Sequence, residues 1–221
     1  MYHALNRGNL RSEIFKTDAD YEAFEQILAE GLERCAVQLY CYELLPTHWH
    51  LVLRPDDEGE MSRFVRWVSA THTMRHQSRY QTSGTGHVYQ GRFKSFPIQG
   101  DAHFLSVCRY VEGNARRVKL VRRAEKWRWS SLSRWLQPSA PTSTLLSPWP
   151  LARSQKWVEK VNEPLAEPEL IAIRNCVQRG CPFGESDWVE SMVSRMGLES
   201  TIRPRGRPRV RFVDEKEGEQ S

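Results

Sequence analysis

No apolar run in the chain nears the ~20 residues that cross a bilayer. The opening Met1-Tyr2-His3-Ala4-Leu5-Asn6-Arg7 has no hydrophobic leader. These absences predict a soluble, cytoplasmic protein with no membrane partner. Cysteine is scarce, at five in 221 residues, and Cys35, Cys41, Cys108, Cys176 and Cys181 show no Cys-x-x-Cys spacing. Neither a zinc knuckle nor a disulfide framework is indicated, and reduced thiols are expected. A glycine-rich phosphate loop is missing too, so nothing predicts nucleotide-driven chemistry. Acidic residues run short of basic ones, 27 against 32, leaving a net charge of +5. That moderate excess fits a polyanionic partner.

A 39% hydrophobic composition suffices for a core, and the length suits one ordinary domain plus an appendage, or two small domains. Residues 2–7 alternate as a first strand. Asp18 or Asp20 is expected to cap a helix carrying Tyr21, Phe24, Ile27, Leu28 and Leu32. Residues 37–45 and 48–53 read as antiparallel strands across Pro46-Thr47. A helix follows over 60–80, with Phe64, Val65, Trp67, Val68 and Met74 expected on its buried side. Residues 88–98 read as strand or extended ribbon, and a third helix starts near Asp101. The order β-α-β-β-α-β plus helix predicts an α+β fold, an antiparallel sheet with helices on one face. Proline, serine and threonine crowd 137–150, a linker by content. Beyond it two helices are expected, about 168–179 and 186–196, with Ser186 as a cap and Gly197 as a stop. The pair resembles a helix-turn-helix, or is an ordinary packing unit.

His48-Trp49-His50 carries the most chemistry. On a strand, alternate side chains share a face, so His48 and His50 point together while Trp49 points away. Two neutral imidazoles side by side suit one metal ion; the plainer reading is two half-exposed histidines beside a core tryptophan. In the third helix Tyr110 and Asn114 are four apart and share a face. A tyrosine hydroxyl attacks a phosphodiester when its ionised form is favoured, and a divalent cation polarises the phosphate. With an amide oxygen from Asn114, the set suits Mg²⁺ or Mn²⁺.

Tyr2-His3-Ala4-Leu5-Asn6-Arg7-Gly8, Leu45-Pro46-Thr47-His48-Trp49-His50-Leu51, Gly91-Arg92-Phe93-Lys94 and Tyr110-Val111-Glu112-Gly113-Asn114 occur in an order that resembles the REP-associated tyrosine transposases. These belong with the HUH (His-hydrophobe-His) single-strand transposases. The resemblance covers about residues 1–135 and implies a ferredoxin-like catalytic domain over 1–136. It implies that Tyr110 cuts single-stranded DNA, forming a 5′-phosphotyrosine link and freeing a 3′-hydroxyl. It also implies metal ligation by His48 and His50, with Asn114 where related insertion-sequence enzymes commonly carry Gln. Ala115 stands where such proteins often show Pro.

DNA would be held by cations. Arg109, Arg116, Arg117, Lys119, Arg122, Arg123, Lys126, Arg128 and Arg134 crowd one stretch, with Trp127, Trp129 and Trp135 interleaved to stack on bases or anchor the segment. Arg92, Lys94, Arg116 and Arg117 are the candidates for gripping the strand. Arg205, Arg207 and Arg209 sit in an AT-hook-like strip suited to an A·T-rich duplex minor groove. The chain thus divides into 1–136, a linker 137–150, a helical DNA-binding or interaction region 151–200, and the basic strip with an acidic tail, 201–221. The expected activity is metal-dependent cleavage and rejoining of single-stranded or hairpin DNA. The competing readings are a non-catalytic DNA-binding regulator and, less well matched, a plasmid relaxase or replication initiator.

Overall fold

Period-two alternation builds β1 (Tyr2–Arg7), β2 (Val37–Leu45) and β3 (His48–Pro55), and β4 (Lys94–Pro97) joins them. The order is β2-β3-β1-β4, every neighbour antiparallel. The computed structural model describes residues 1–100, 102–137 and 145–203. Its helices are α1 (Asp18–Arg34), α2 (Glu60–Tyr80), α3 (Ala102–Glu112), α4 (Asn114–Arg117), α5 (Ser131–Leu136), α6 (Trp157–Asn162), α7 (Glu167–Arg179), α8 (Ser186–Met196) and α9 (Glu199–Ile202).

Side-chain alternation divides the sheet into two faces. Trp49, Leu51 and Leu53 of β3 join Leu39, Tyr42 and Leu44 of β2, and α1 and α2 cover them with Phe24, Ile27, Phe64 and Val68. Leu39 and Tyr42 share this face although three apart, because a bulge between Leu39 and Cys41 shifts the phase. The α+β class and the antiparallel sheet are as the sequence predicts. Helices cover the opposite face as well: Val52 and Phe96 meet Phe104, Val107 and Val111 of α3, with Trp157 and Val161 of α6 and Ile173 of α7 beyond. Strands apolar in both phases demand cover on both sides. The C-terminal segment also extends the sheet, since Phe183 bridges Ile98 in parallel and exchanges hydrogen bonds with Pro97 and Gln99.

Some local expectations need correcting. Thr17, not Asp18 or Asp20, is the N-cap of α1; Asp20 completes a capping box and accepts the Lys16 and Thr17 N–H groups at 2.9 Å. Met74 is 65% exposed, because the buried stripe of α2 runs through Phe64, Val65, Val68, Thr71 and His72. It lies about a third of a turn from that stripe. Glu185 rather than Ser186 is the N-cap of α8, whereas Gly197 ends it in left-handed backbone at φ 64°. Only Lys94–Pro97 of the 88–98 ribbon is strand. Among the described residues no helix is long and apolar enough to cross a membrane.

Candidate active site

The strand β3 aims His48 and His50 at α3. In register, His48 stands between Leu45 and Arg7, and His50 between Glu43 and Leu5. The two imidazole centroids are 5.0 Å apart. Each Nδ1 is engaged: that of His48 with Thr47 Oγ1 at 2.9 Å, that of His50 with His3 Nε2 at 2.9 Å. Burial, with Arg7 and Arg117 adding repulsion, pulls His48 down to about 4. Burial also pulls His3 down to about 3 and His50 well below the usual histidine range. All three rings are therefore neutral near pH 7, and a neutral imidazole whose Nδ1 carries the proton keeps a lone pair on Nε2.

α3 brings the phenol to this pair. Tyr110 is 7% exposed, and its ring meets His50 edge-on at 6.1 Å and 84°. The Arg117 guanidinium lies 4.1 Å from the Tyr110 ring centroid. It also donates to the Tyr110 carbonyl at 2.9 Å and to Asn114 Oδ1 at 2.8 Å. A helix start exposes N–H groups that need acceptors. Glu43, fully buried on β2, supplies them, accepting Asn114 N at 3.0 Å and Ala115 N at 3.1 Å. Burial pushes Glu43 up to about 8 against the pull of those N–H groups and Arg117. Gly113 forms the break between α3 and α4, where a Cβ would stand 3.0 Å from the Arg109 carbonyl. The break turns Asn114 onto His50, its amide nitrogen 3.1 Å from Nε2.

The donors fit a hard divalent cation. Asn114 turns its nitrogen to His50 and its oxygen to Arg117; a half-turn of the amide exchanges them. Among the described residues no three His, Cys, Asp or Glu side chains form a metal-holding group. An ion here would draw on two imidazoles, one amide oxygen and oxygens from outside the chain, a set that Mg²⁺ or Mn²⁺ accepts.

The other sequence candidates scatter. Lys94 is exposed on the histidine face, in the cross-strand row Glu43–His50–Leu5–Lys94. Arg92 is exposed on the ribbon before β4, while Arg116 borders a cleft with Arg109 and Pro164. Arg117 serves the tyrosine and Asn114 and, half-buried, also lines surface clefts with Arg116. Arg205, Arg207 and Arg209 lie outside the described residues. The stretch 109–134 is less a phosphate grip than expected. Arg109 binds the Lys160, Glu163 and Pro164 carbonyls, Arg128 pairs with Asp18 and Glu22, and Arg134 is buried against Glu25. Trp127 donates to the Leu44 carbonyl and Trp129 stacks on Tyr21, so both anchor the segment.

Three participants escape sequence reasoning: His3, Arg7 and Glu43. The alternation of β1 already puts His3 and Arg7 in one phase, and a lone carboxylate in the apolar run 37–45 is a signal of its own. Which face that phase meets depends on register, which the sequence does not state.

The family described as IS200-like transposase matches residues 1–114. The fold is similar to that of a REP-associated tyrosine transposase solved bound to a REP hairpin, at 17% identity and TM-score 0.50, over 69% of this chain and 84% of that one. A putative transposase from Deinococcus radiodurans R1 is similar at 16% identity and TM-score 0.39, over 50% of this chain and 87% of that one. Among curated proteins none matches the chain.

Proposed function

This chain belongs to the IS200-like transposase family, and from that premise we propose that it nicks and rejoins single-stranded DNA at hairpin-forming repeats, with Tyr110 as the nucleophile. The observation that carries the reading is the Tyr110 ring 6.1 Å from His50, on the face where His48, His50 and Asn114 converge.

The phenol oxygen attacks the scissile phosphorus, a P–O bond to tyrosine forms, and the bond to the 3′-oxygen breaks. The DNA leaves a 5′-phosphotyrosine and a free 3′-hydroxyl. Attack by a 3′-hydroxyl on the phosphotyrosine reverses the step and releases Tyr110, so joining needs no nucleotide triphosphate. The Arg117 guanidinium lies over the Tyr110 ring and donates to the Tyr110 carbonyl, which fixes the phenol beside His50. His48, His50 and Asn114 would hold Mg²⁺ or Mn²⁺. When bound, such an ion polarises a non-bridging phosphate oxygen and screens charge on the scissile group. Neutrality of both histidines keeps them available as ligands across ordinary pH. Hairpin DNA is the favoured substrate form because the structural relative was solved on a REP hairpin.

The test is a 3′-labelled hairpin oligonucleotide with single-stranded flanks, incubated with Mg²⁺. A covalent protein–DNA band is expected, absent from Tyr110→Phe and strongly reduced in His48→Ala and His50→Ala. A band that persists in Tyr110→Phe removes the tyrosine from the role. Tight binding with no band under any metal replaces this reading with that of a DNA-binding regulator.

A further inference from the structure

Behind the catalytic face, at the same end of β1, lies a large hollow. It is a groove of about 1270 Å³ between α2 and the ribbon 86–93. Single small ligands occupy roughly 300–1,000 Å³, so its size suits something longer. Arg66, Met74 and Gln77 form the helix wall, and Gln90, Arg92 and Phe93 the ribbon wall. None of the described residues lining it is acidic, in a chain with 27 Asp and Glu. Ser69, on the lining, keeps a buried hydroxyl with no hydrogen-bond partner in the described residues.

The groove joins the site through one strand end. Arg7 projects to the histidine face opposite His48, and the preceding residue, Asn6, lines the groove. Adjacent Cα atoms are about 3.8 Å apart, so the thickness of β1 alone separates the two. The ribbon is fastened there by Gln90 N–H on the Arg7 carbonyl and by Asn9 N–H on the Val88 carbonyl, both at 2.8–2.9 Å. Beside them Leu10 and Arg11 sit in left-handed backbone, at φ 51° and 60°, and Leu10 is 90% exposed. Positive φ at bulky residues is held only where neighbours impose it, often at binding surfaces.

Resting on the reading of Tyr110 chemistry above, we propose that this groove holds the unpaired nucleotides that continue from the cut strand. The strand would pass over the end of β1. Its bases would lie against Phe93 and Met74, its phosphates near Arg66 and Arg92, and its base edges within reach of Gln77 and Gln90. This combination of cations, flat or soft apolar faces and amides is what an unpaired, base-exposing strand requires. A paired stem hides its faces and would use only the cations.

Binding of two labelled hairpins, one with a single-stranded flank and one blunt, tests the assignment with the full chain. Both carry the same stem, and Tyr110→Phe protein keeps cleavage out of the measurement. Wild-type surroundings should favour the flanked hairpin by tenfold or more. Met74→Glu, at an exposed position, should erase that preference while leaving the blunt hairpin within twofold. Arg66→Ala with Arg92→Ala should lower the log–log salt slope for the flanked form by about 1.4. Flank-borne iododeoxyuridine should crosslink to peptides containing Met74 or Phe93. A preference that survives Met74→Glu, or crosslinks confined to other elements, overturns the groove assignment. The two readings fail separately: an adduct on Tyr110 with a groove indifferent to flanks sinks only this inference. Flank-dependent binding without any adduct sinks only the tyrosine chemistry.

Discussion

The two faces of β3 are made by alternate residues of one peptide, yet they are held in different ways. Trp49, Leu51 and Leu53 sink into an apolar cluster that asks for volume and shape. His48 and His50 sit in a face where polar atoms are wired one by one. His50 has both nitrogens engaged, and both oxygens of Glu43 receive N–H groups. The apolar face supplies stability and the polar face spends some of it on geometry. A slip of one residue in register would exchange them, so the core also sets where the chemistry points.

Breaking each face separately gives the largest effect. Trp49→Ala empties a fully buried site and removes the indole N–H that donates to the Tyr89 hydroxyl, which keeps only its contact with His72. The loss expected in urea unfolding is about 3–5 kcal/mol. His48→Ala, on the half-buried opposite side, should cost about 1 kcal/mol or less at pH 7. Comparable losses from the two would mean that the histidine face carries as much of the fold as the core.

Acid separates the faces next. Burial holds His3 and His72 down to about 3, and with Arg7 and Arg117 holds His48 down to about 4. An unfolded chain protonates these rings near pH 6.5, while the fold waits for much lower pH. Their contribution is full above that value and is lost as pH falls from 6.5. Glu43 runs the other way: pushed up to about 8, it contributes stability below 4.5 that is lost as pH rises through 8. Counting His3, His48, His72 and Glu43 alone, the difference between pH 4.5 and 6.5 is two protons, a slope of about 3 kcal/mol per pH unit, and buried His50 adds to the same acid limb. Stability should therefore peak near pH 6.5. His72 belongs to the apolar face, packed on Phe15 and Phe24. His72→Gln and His3→Gln should each remove about 1.4 kcal/mol per unit from the acid limb, and Glu43→Gln should flatten the alkaline limb. An acid limb unchanged by all three substitutions would refute this account.

The contact between His3 and His50 sharpens the contrast further. His3→Phe keeps the ring against Phe96, 4.8 Å away, and deletes the nitrogen that fixes His50 Nδ1. Loss of such a supporting bond typically costs about 10–100-fold in metal affinity. Calorimetric titration with Mn²⁺ should show that drop while the thermal midpoint at pH 7 holds, since an unpartnered buried nitrogen, His3 Nδ1, is removed as well. Unchanged Mn²⁺ affinity would reduce His3 to packing.

The sequence made the first half of this architecture legible through short-range signals. Alternation marks β1, apolar β-favouring residues mark β2 and β3, Pro46-Thr47 marks the hairpin, and three-to-four spacing marks α1 and α2. The pair His48/His50 was readable because it lies within one strand; Tyr110 and Asn114 were close enough in sequence to read as a pair, but the single helix expected for them is broken at Gly113, and Asn114 starts α4. What connects elements was not readable. Glu43 reaches Asn114 across 71 positions and His3 reaches His50 across 47; local periodicity carries no information about such partners. The basic stretch misled for the same reason: whether Arg134 meets a phosphate or Glu25 depends on which distant carboxylate folding brings to it.

Lys94 gives the smallest and most selective test of the two faces. It closes the row that begins at Glu43, so it shares the site's face, but it is exposed and, among the described residues, pairs with no acid. Lys94→Gln should leave unfolding within about 0.5 kcal/mol, because nothing in the core touches its charge. Hairpin affinity should fall a few-fold at low salt, and the log–log salt slope should drop by about 0.7, the share of one single-strand phosphate. Arg63→Gln supplies the comparison, an equally exposed cation on α2 already paired with Glu60 at 3.1 Å. It should move neither quantity. If both substitutions shift the slope alike, DNA feels only net charge and the histidine face has no privileged claim on the strand.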